Sequence, residues 1–269
     1  MKQSLLKLRV FTLATAGVTL AVAILRTVTL FVAFDREIGY FASGSAPVTI
    51  LYILEGLALL AAFVLPFLVK RDTLPVTRTP LTRAAVVSAG LAALASLAAI
   101  VLIFVHLASL SEPALAIVPI SVLGAIFLII TAAFFILQFL AEAPPPHTLA
   151  LCGYGVILAA VCLLSLTYFD LTVQMNAPHK ISLHLALLSI MFCMLFDVRT
   201  LLGIARPRAH GVVSAICCFL CITTGLSNCI AFIGDIYTDL LSLGADLFVL
   251  IFGIFTGIRL AETAWQKQE

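Results

Sequence analysis

Charge is what this chain lacks most. Of its 269 residues only 10% are Asp, Glu, Lys or Arg, where a soluble domain carries about 25%. Long polar stretches are missing too: the longest non-apolar segment, 70–83, is a short loop, and no soluble domain is expected. Enzyme signatures are absent. There is no His-Glu-x-x-His, no Gly-x-Ser-x-Gly, no Walker sequence and no Gly-x-Gly-x-x-Gly after a strand. A non-enzymatic protein without catalytic residues or cofactor is therefore expected. No basic stripe interleaved with aromatics marks a nucleic-acid surface. Cysteine is absent from the first half; all seven lie between positions 152 and 229. Cys217, Cys218 and Cys221 share part of a helical face, but no His or carboxylate joins them at ligand spacing. A structural metal normally takes four ligands, so these thiols read as apolar packing residues and no metal is expected.

What is present is apolar: 63% of residues, with a mean hydropathy of +1.21. A helix needs about 20 apolar residues to cross a hydrocarbon core, and eight such runs occur, at 10–33, 47–69, 84–106, 116–140, 148–169, 181–203, 211–233 and 239–260. They lack the alternation of barrel strands. Backbone groups in lipid must pair within their own segment, so the fold class is an all-α polytopic membrane protein with eight transmembrane helices. No small-residue cleavage site closes the first run early, which reads as a retained span.

Lys and Arg concentrate on the cytoplasmic side of membrane proteins. With the amino terminus inside, Lys2, Lys7, Arg9, Lys70, Arg71, Arg78, Arg83, Arg199, Arg206, Arg208, Arg259 and Lys267 are cytoplasmic. Arg36 and Lys180 face outward and Arg26 lies within a span. Both termini are thus expected inside. The outer surface then carries Asp35, Glu37, Glu112, Asp170, Asp235 and Asp239, either solvated helix ends or a rim that concentrates cations.

The halves echo each other. Phe34-Asp35 recurs as Phe169-Asp170, and Ala46-Pro47 as Ala177-Pro178. Val86-Val87-Ser88-Ala89 after Arg83 recurs as Val212-Val213-Ser214-Ala215 after Arg208. Leu123-Gly124-Ala125 recurs as Leu243-Gly244-Ala245. Collinear matches of this kind read as a tandem duplication. The expected organisation is a first four-helix repeat (1–142), a Pro-rich cytoplasmic linker (143–147) and a second repeat (148–269). An even number of spans makes the repeats parallel, as in some transporters.

Small residues let helix backbones approach where lipid supplies no hydrophobic drive. Ala85, Ala89, Ala92, Ser96 and Ala99 fall on one face of span three, and Gly253 and Gly257 form a Gly-x-x-x-Gly pair in span eight. These faces join helices within the chain, or chains in a homo- or hetero-oligomer.

Intramembrane charges are functional candidates by default. Arg26 and Glu55 each sit about 12 Å from the outer end of their spans at 1.5 Å per residue, on consecutive helices, a placement that allows an ion pair without requiring one. Neither has a counterpart in the other repeat, where Ala186 and Val161 stand nearby. Asp246 enters span eight at similar depth, and Thr223, Thr224, Ser227 and Asn228 bring polar groups to the outer half of span seven. Two readings stand. In one, Arg26, Glu55, Asn228 and Asp246 line a substrate-binding cavity in which Arg26 holds a carboxylate or phosphate and the carboxylates hold a cation or shuttle a proton. In the other, Arg26 and Glu55 form a structural bridge. Asp197 is expected to pair with Arg199 or Arg206. His184 reads as interfacial, and His106, His147, His179 and His210 show no carboxylate spacing suggestive of a metal site.

The stretch Phe34-Asp35-Arg36-Glu37-Ile38-Gly39-Tyr40-Phe41 resembles an outer loop in uncharacterised multi-spanning inner-membrane proteins of Firmicute bacteria. So does Met175-Asn176-Ala177-Pro178-His179-Lys180 with the run to Asp197-Val198-Arg199. The resemblance implies a bacterial plasma membrane and no particular activity. The leading functional expectation is a small-solute or ion transporter with its polar site between the repeats. The alternative is a non-catalytic membrane subunit or sensor that binds a partner through small-residue helix faces.

Overall fold

The computed structural model describes residues 2–36, 38–68, 82–110, 117–140, 145–170, 174 and 177–265. Glu37, Lys70, Arg71, Arg78, Glu112, Ala143, Pro144, Met175, Asn176 and Lys267 lie outside them. The helices are α1 (Lys2–Ala33), α2 (Ala46–Val64), α3 (Arg83–Ser109), α4 (Ile117–Leu140), α5 (Pro146–Phe169), α6 (Pro178–Leu201), α7 (Pro207–Ile233) and α8 (Leu240–Trp265). A hairpin of β1 (Phe34–Asp35) and β2 (Tyr40–Phe41) joins α1 to α2. Each of the eight helices contains a stretch long and apolar enough to cross a membrane. The chain is a multi-pass membrane protein.

Proline sets several helix boundaries. Pro146, Pro178 and Pro207 occupy the first helical positions of α5, α6 and α7, where a missing N–H costs nothing and φ is already set. Pro146 and His147 therefore belong to the first turn of α5. At the other end of α2, Pro66 lies in a 3₁₀ turn, Leu65–Leu68, because it cannot supply the next α-helical hydrogen bond. In the hairpin, Gly39 adopts φ +74°, a conformation that costs glycine little. Its N–H donates to Asp35 O at 2.9 Å.

Helices α3, α4, α5, α6 and α7 follow one another round an arc, each packed on the next. Helix α8 closes it, lying against α7 and α3 and touching α6 and α5 across the middle. The centre is solid. Phe135 of α4 meets Phe252 and Phe255 of α8 at ring-centroid distances of 6.1 and 5.2 Å, and Phe248, Leu163, Leu166, Leu183 and Leu187 are fully enclosed with them. Helix α1 lies outside this body against α7 and α8, and α2 is outermost, against α1 and α7.

Packing crosses between the two halves of the sequence: helix α4 packs on α5, and α3 packs on α8. Helices α1 and α5, the first spans of the two expected repeats, differ in setting: α1 is peripheral and α5 belongs to the body. The physical reason is that six helices suffice to enclose the aromatic centre, leaving the first pair to pack on its flank.

The small-residue faces are intramolecular seams. Ala85 and Ala89 are buried in α3, and farther along that face Ala99 approaches Gly244 of α8, where a Cβ would stand 3.4 Å from the Ala99 Cα. A Cβ on Gly253 would fall 2.6 Å from that of Cys221, and one on Gly257 would fall 2.8 Å from the Cys218 Sγ. Those glycines bring α8 against α7. Opposite the hairpin, Glu262 Oε1 accepts from the Thr82 N–H at 2.6 Å and Oε2 from Arg259 at 2.5 Å, tying the end of α8 to the start of α3. The Asp197 carboxylate pairs with His210 at 2.8 Å, a partner the sequence reading did not name; both residues lie near the α6–α7 turn.

Candidate functional site

Arg26 and Glu55 meet. Arg26 Nη1 donates to Glu55 Oε1 at 2.8 Å, about seven residues, or ~10 Å, from the hairpin end of α1. Arg26 Nη2 donates to Ser182 Oγ at 2.7 Å, and that hydroxyl donates to His179 O at 2.8 Å. One guanidinium thus ties the α1–α2 pair to the first turn of α6. The other two predicted residues form a second pair: Asn228 Nδ2 of α7 donates to Asp246 Oδ1 of α8 at 2.9 Å, both fully enclosed.

Tyr237, from the α7–α8 turn, lies near both pairs. Burial pushes its phenol above the usual range. Arg26 opposes that rise, while Asp246 and Tyr52 add to it, placing the ring within electrostatic reach of all three. Its ring stacks on His179 at 4.1 Å. Phe34 of the hairpin meets Tyr237 at 5.2 Å and Phe41 at 5.8 Å, and Phe41 meets Tyr52 at 6.3 Å. These aromatics roof the polar groups.

Several polar atoms beneath the roof are buried without a hydrogen-bond partner: Arg26 Nε, both ring nitrogens of His179, the Tyr237 hydroxyl and Asn228 Oδ1. Each such atom costs about 1–3 kcal/mol when left unsatisfied. They offer donors and acceptors together, suited to a small polar solute or to water. A cleft of about 280 Å³ opens beside them between the hairpin, α2 and the start of α6, lined by Tyr40, Ser43, Thr49, Tyr52 and Pro178 among others. Tyr52 lines this cleft one helical turn from Glu55, and Pro178, also in its lining, adjoins His179.

The site draws on both halves of the sequence, Arg26 and Glu55 from the first and Ser182, Asn228 and Asp246 from the second. The seam it occupies is that between the α1–α2 pair and the six-helix body. The predicted polar residues of α7 divide. Asn228 reaches Asp246, whereas Thr223 and Ser227 return their hydroxyls to the carbonyls of Phe219 and Thr223. Helix positions equivalent to the Arg–Glu pair are bland: Ala186 is buried and Val161 exposed. Ser182 and Tyr237 escaped the sequence reading, and His179 entered it only as a histidine without metal spacing, because all three lie at helix ends or in a turn, at separations from Arg26 that no spacing rule connects. Their signal was polarity beside predicted outer ends. His184 shares a 3.0 Å hydrogen bond with Thr167 Oγ1.

A second polar group lies at the same end of the bundle. His106, in the last turn of α3, has Nδ1 3.4 Å from Asp239 Oδ1 and Nε2 3.8 Å from Asp170 Oδ2. Asp170 caps the end of α5 and Asp239 precedes α8. The sequence reading found no carboxylate at ligand spacing from His106; the fold supplies two, from 64 and 133 positions away.

No family model, curated protein or solved structure matches this chain.

Proposed function

We propose that this multi-pass membrane protein binds a small polar solute beneath the hairpin and transports it. The supporting observation is the convergence of unpartnered buried polar atoms round the Arg26–Glu55 pair, at a seam between two packed groups of helices. Arg26 is the anchor for an anionic group, with Tyr237 and His179 beside it. Asp246, held by Asn228, is the acceptor for a cationic one. Swinging the α1–α2 pair away from α6 and α7 opens this seam without disturbing the aromatic centre, which is the kind of rigid-body rocking that alternating access requires. The solid centre favours a carrier over a continuous channel. In this reading the hairpin faces outward and both termini lie inside a bacterial plasma membrane, as the Lys and Arg distribution indicates.

Thermal unfolding in detergent against a library of small solutes tests it. A ligand of the folded state raises the midpoint by mass action, about 2.7 kcal/mol at a hundredfold excess over Kd. The expected result is a hit that is lost in both Arg26→Met and Glu55→Gln, followed by uptake of that solute into proteoliposomes. A hit without uptake turns the reading to a sensor. No hit, with both variants merely destabilised, makes the pair a structural bridge. Labelling of Ser43→Cys in whole cells by an impermeant maleimide checks the outward hairpin.

A further inference from the structure

The His106 cluster stands apart from the solute site, and the chemistry of its donors carries an assignment of its own. We propose that His106, Asp170 and Asp239 bind one divalent first-row transition-metal ion at the hairpin end of the bundle. One donor atom from each of the three residues lies within 4.8 Å of the others. In a tetrahedral site with ligands about 2.0–2.2 Å from the metal, neighbouring donors are about 3.3–3.6 Å apart. The 3.4 and 3.8 Å approaches belong to the two different ring nitrogens of His106, of which one ion takes one; with a single donor from each residue the atoms lie within 4.8 Å and draw together by about 1 Å to reach that spacing. Imidazole with two carboxylates suits Mn²⁺, Fe²⁺ or Zn²⁺.

Three observations support a ligand there. His106 is 7% exposed, and its Nε2 is buried with no hydrogen-bond partner while facing Asp170. The carboxylates are as enclosed as the imidazole, at 4% and 7% side-chain exposure, and two such charges side by side need positive charge. Lys180, itself buried, supplies one charge: its Nζ donates to the Asp170 carbonyl at 2.7 Å and acts electrostatically on both carboxylates. Finally, Asp239 is held in place, since Oδ1 accepts the Leu241 N–H and Oδ2 the Ser242 N–H, each at 3.0 Å. Oδ1, with one such bond, keeps a lone pair for the ion. The metal joins the ends of α3 and α5 to the start of α8, and water or an anionic group completes its coordination.

The test uses the full-length protein in detergent, stripped with chelator and titrated with Mn²⁺ by electron paramagnetic resonance. Mn²⁺ has little affinity for thiols and so avoids the seven cysteines. The expected result is one Mn²⁺ per chain, weakened about tenfold or more in His106→Gln and Asp170→Asn. Lys180→Gln removes a like charge from the ion's surroundings and is expected to bind Mn²⁺ more tightly. That variant keeps the test decisive should the ligand variants fail to fold, because a simple salt-bridge network predicts no gain. Absence of stoichiometric binding overturns the proposal, as does binding that survives unchanged in folded His106→Gln. A protonated His106 bridging the two carboxylates would instead make the unfolding midpoint respond to pH and not to Mn²⁺; that outcome also overturns it.

Discussion

At the scale of single residues, the Arg26–Glu55 pair shows how a buried charge constrains a membrane protein. Arg26 is almost fully enclosed and Glu55 about four-fifths so, and their attraction is set against the cost of removing both from water. Taking away one partner leaves the other uncompensated. Arg26→Met is therefore expected to destabilise the protein by about 3–5 kcal/mol. The double variant Arg26→Met/Glu55→Gln should cost clearly less than the sum of the two singles, since neither charge is then stranded. Chemical denaturation of all four proteins in one detergent measures the coupling. Additive losses would mean that the 2.8 Å contact carries no net energy.

At the scale of helices, glycine separates tight seams from loose flanks. On α7, Gly225 faces α8 so closely that a Cβ would stand 2.7 Å from the Leu250 backbone nitrogen and 2.8 Å from the Asp246 carbonyl oxygen, whereas Gly56 on α2 has nothing within 4 Å. Backbone atoms cannot rotate aside as side chains do. Gly225→Ala is expected to cost about 1–3 kcal/mol through overpacking. Gly56→Ala should be neutral or stabilising by up to about 1 kcal/mol, because alanine loses less entropy in a helix. Unfolding midpoints of the two variants decide the matter; equal effects would contradict the observed α7–α8 contact. The contrast follows burial, which covers 22% of the apolar stretch of α2 but 61% of that of α8.

At the scale of the molecule, the six-helix body crosses the sequence midpoint. Helices α4 and α5 pack together, α3 packs on α8, and Phe135 of the first half lies between phenylalanines of the second. A protease site inserted between Leu140 and Pro145 and then cut is expected to leave the two fragments together through size exclusion in detergent. Fragments that separate would show two independent bundles. Truncation at the centre is expected to be severe: Phe135→Ala should cost about 3–5 kcal/mol, read from the denaturation midpoint, because the ring is fully buried against Phe252 and Phe255.

Residue type along the chain decided the eight apolar helices, since low charge and long hydrophobic runs leave the backbone few ways to satisfy itself in lipid. It also placed Arg26 and Glu55 at equal depth on helices joined by a short turn, where a pair is possible, but only the structure decided that they meet. Small-residue periodicity marked close-packing faces on α3 and α8 without saying what meets them. The tertiary structure alone decided which helices surround which. Hydropathy records distance from water but not the identity of a neighbour, so the peripheral α1–α2 pair and the closure by α8 left no trace in it. The same holds for His179 and Tyr237 beneath the aromatic roof, and for His106 between Asp170 and Asp239. Those groups meet because helix ends distant in sequence finish at one side of the bundle, and only packing sets which ends stand together.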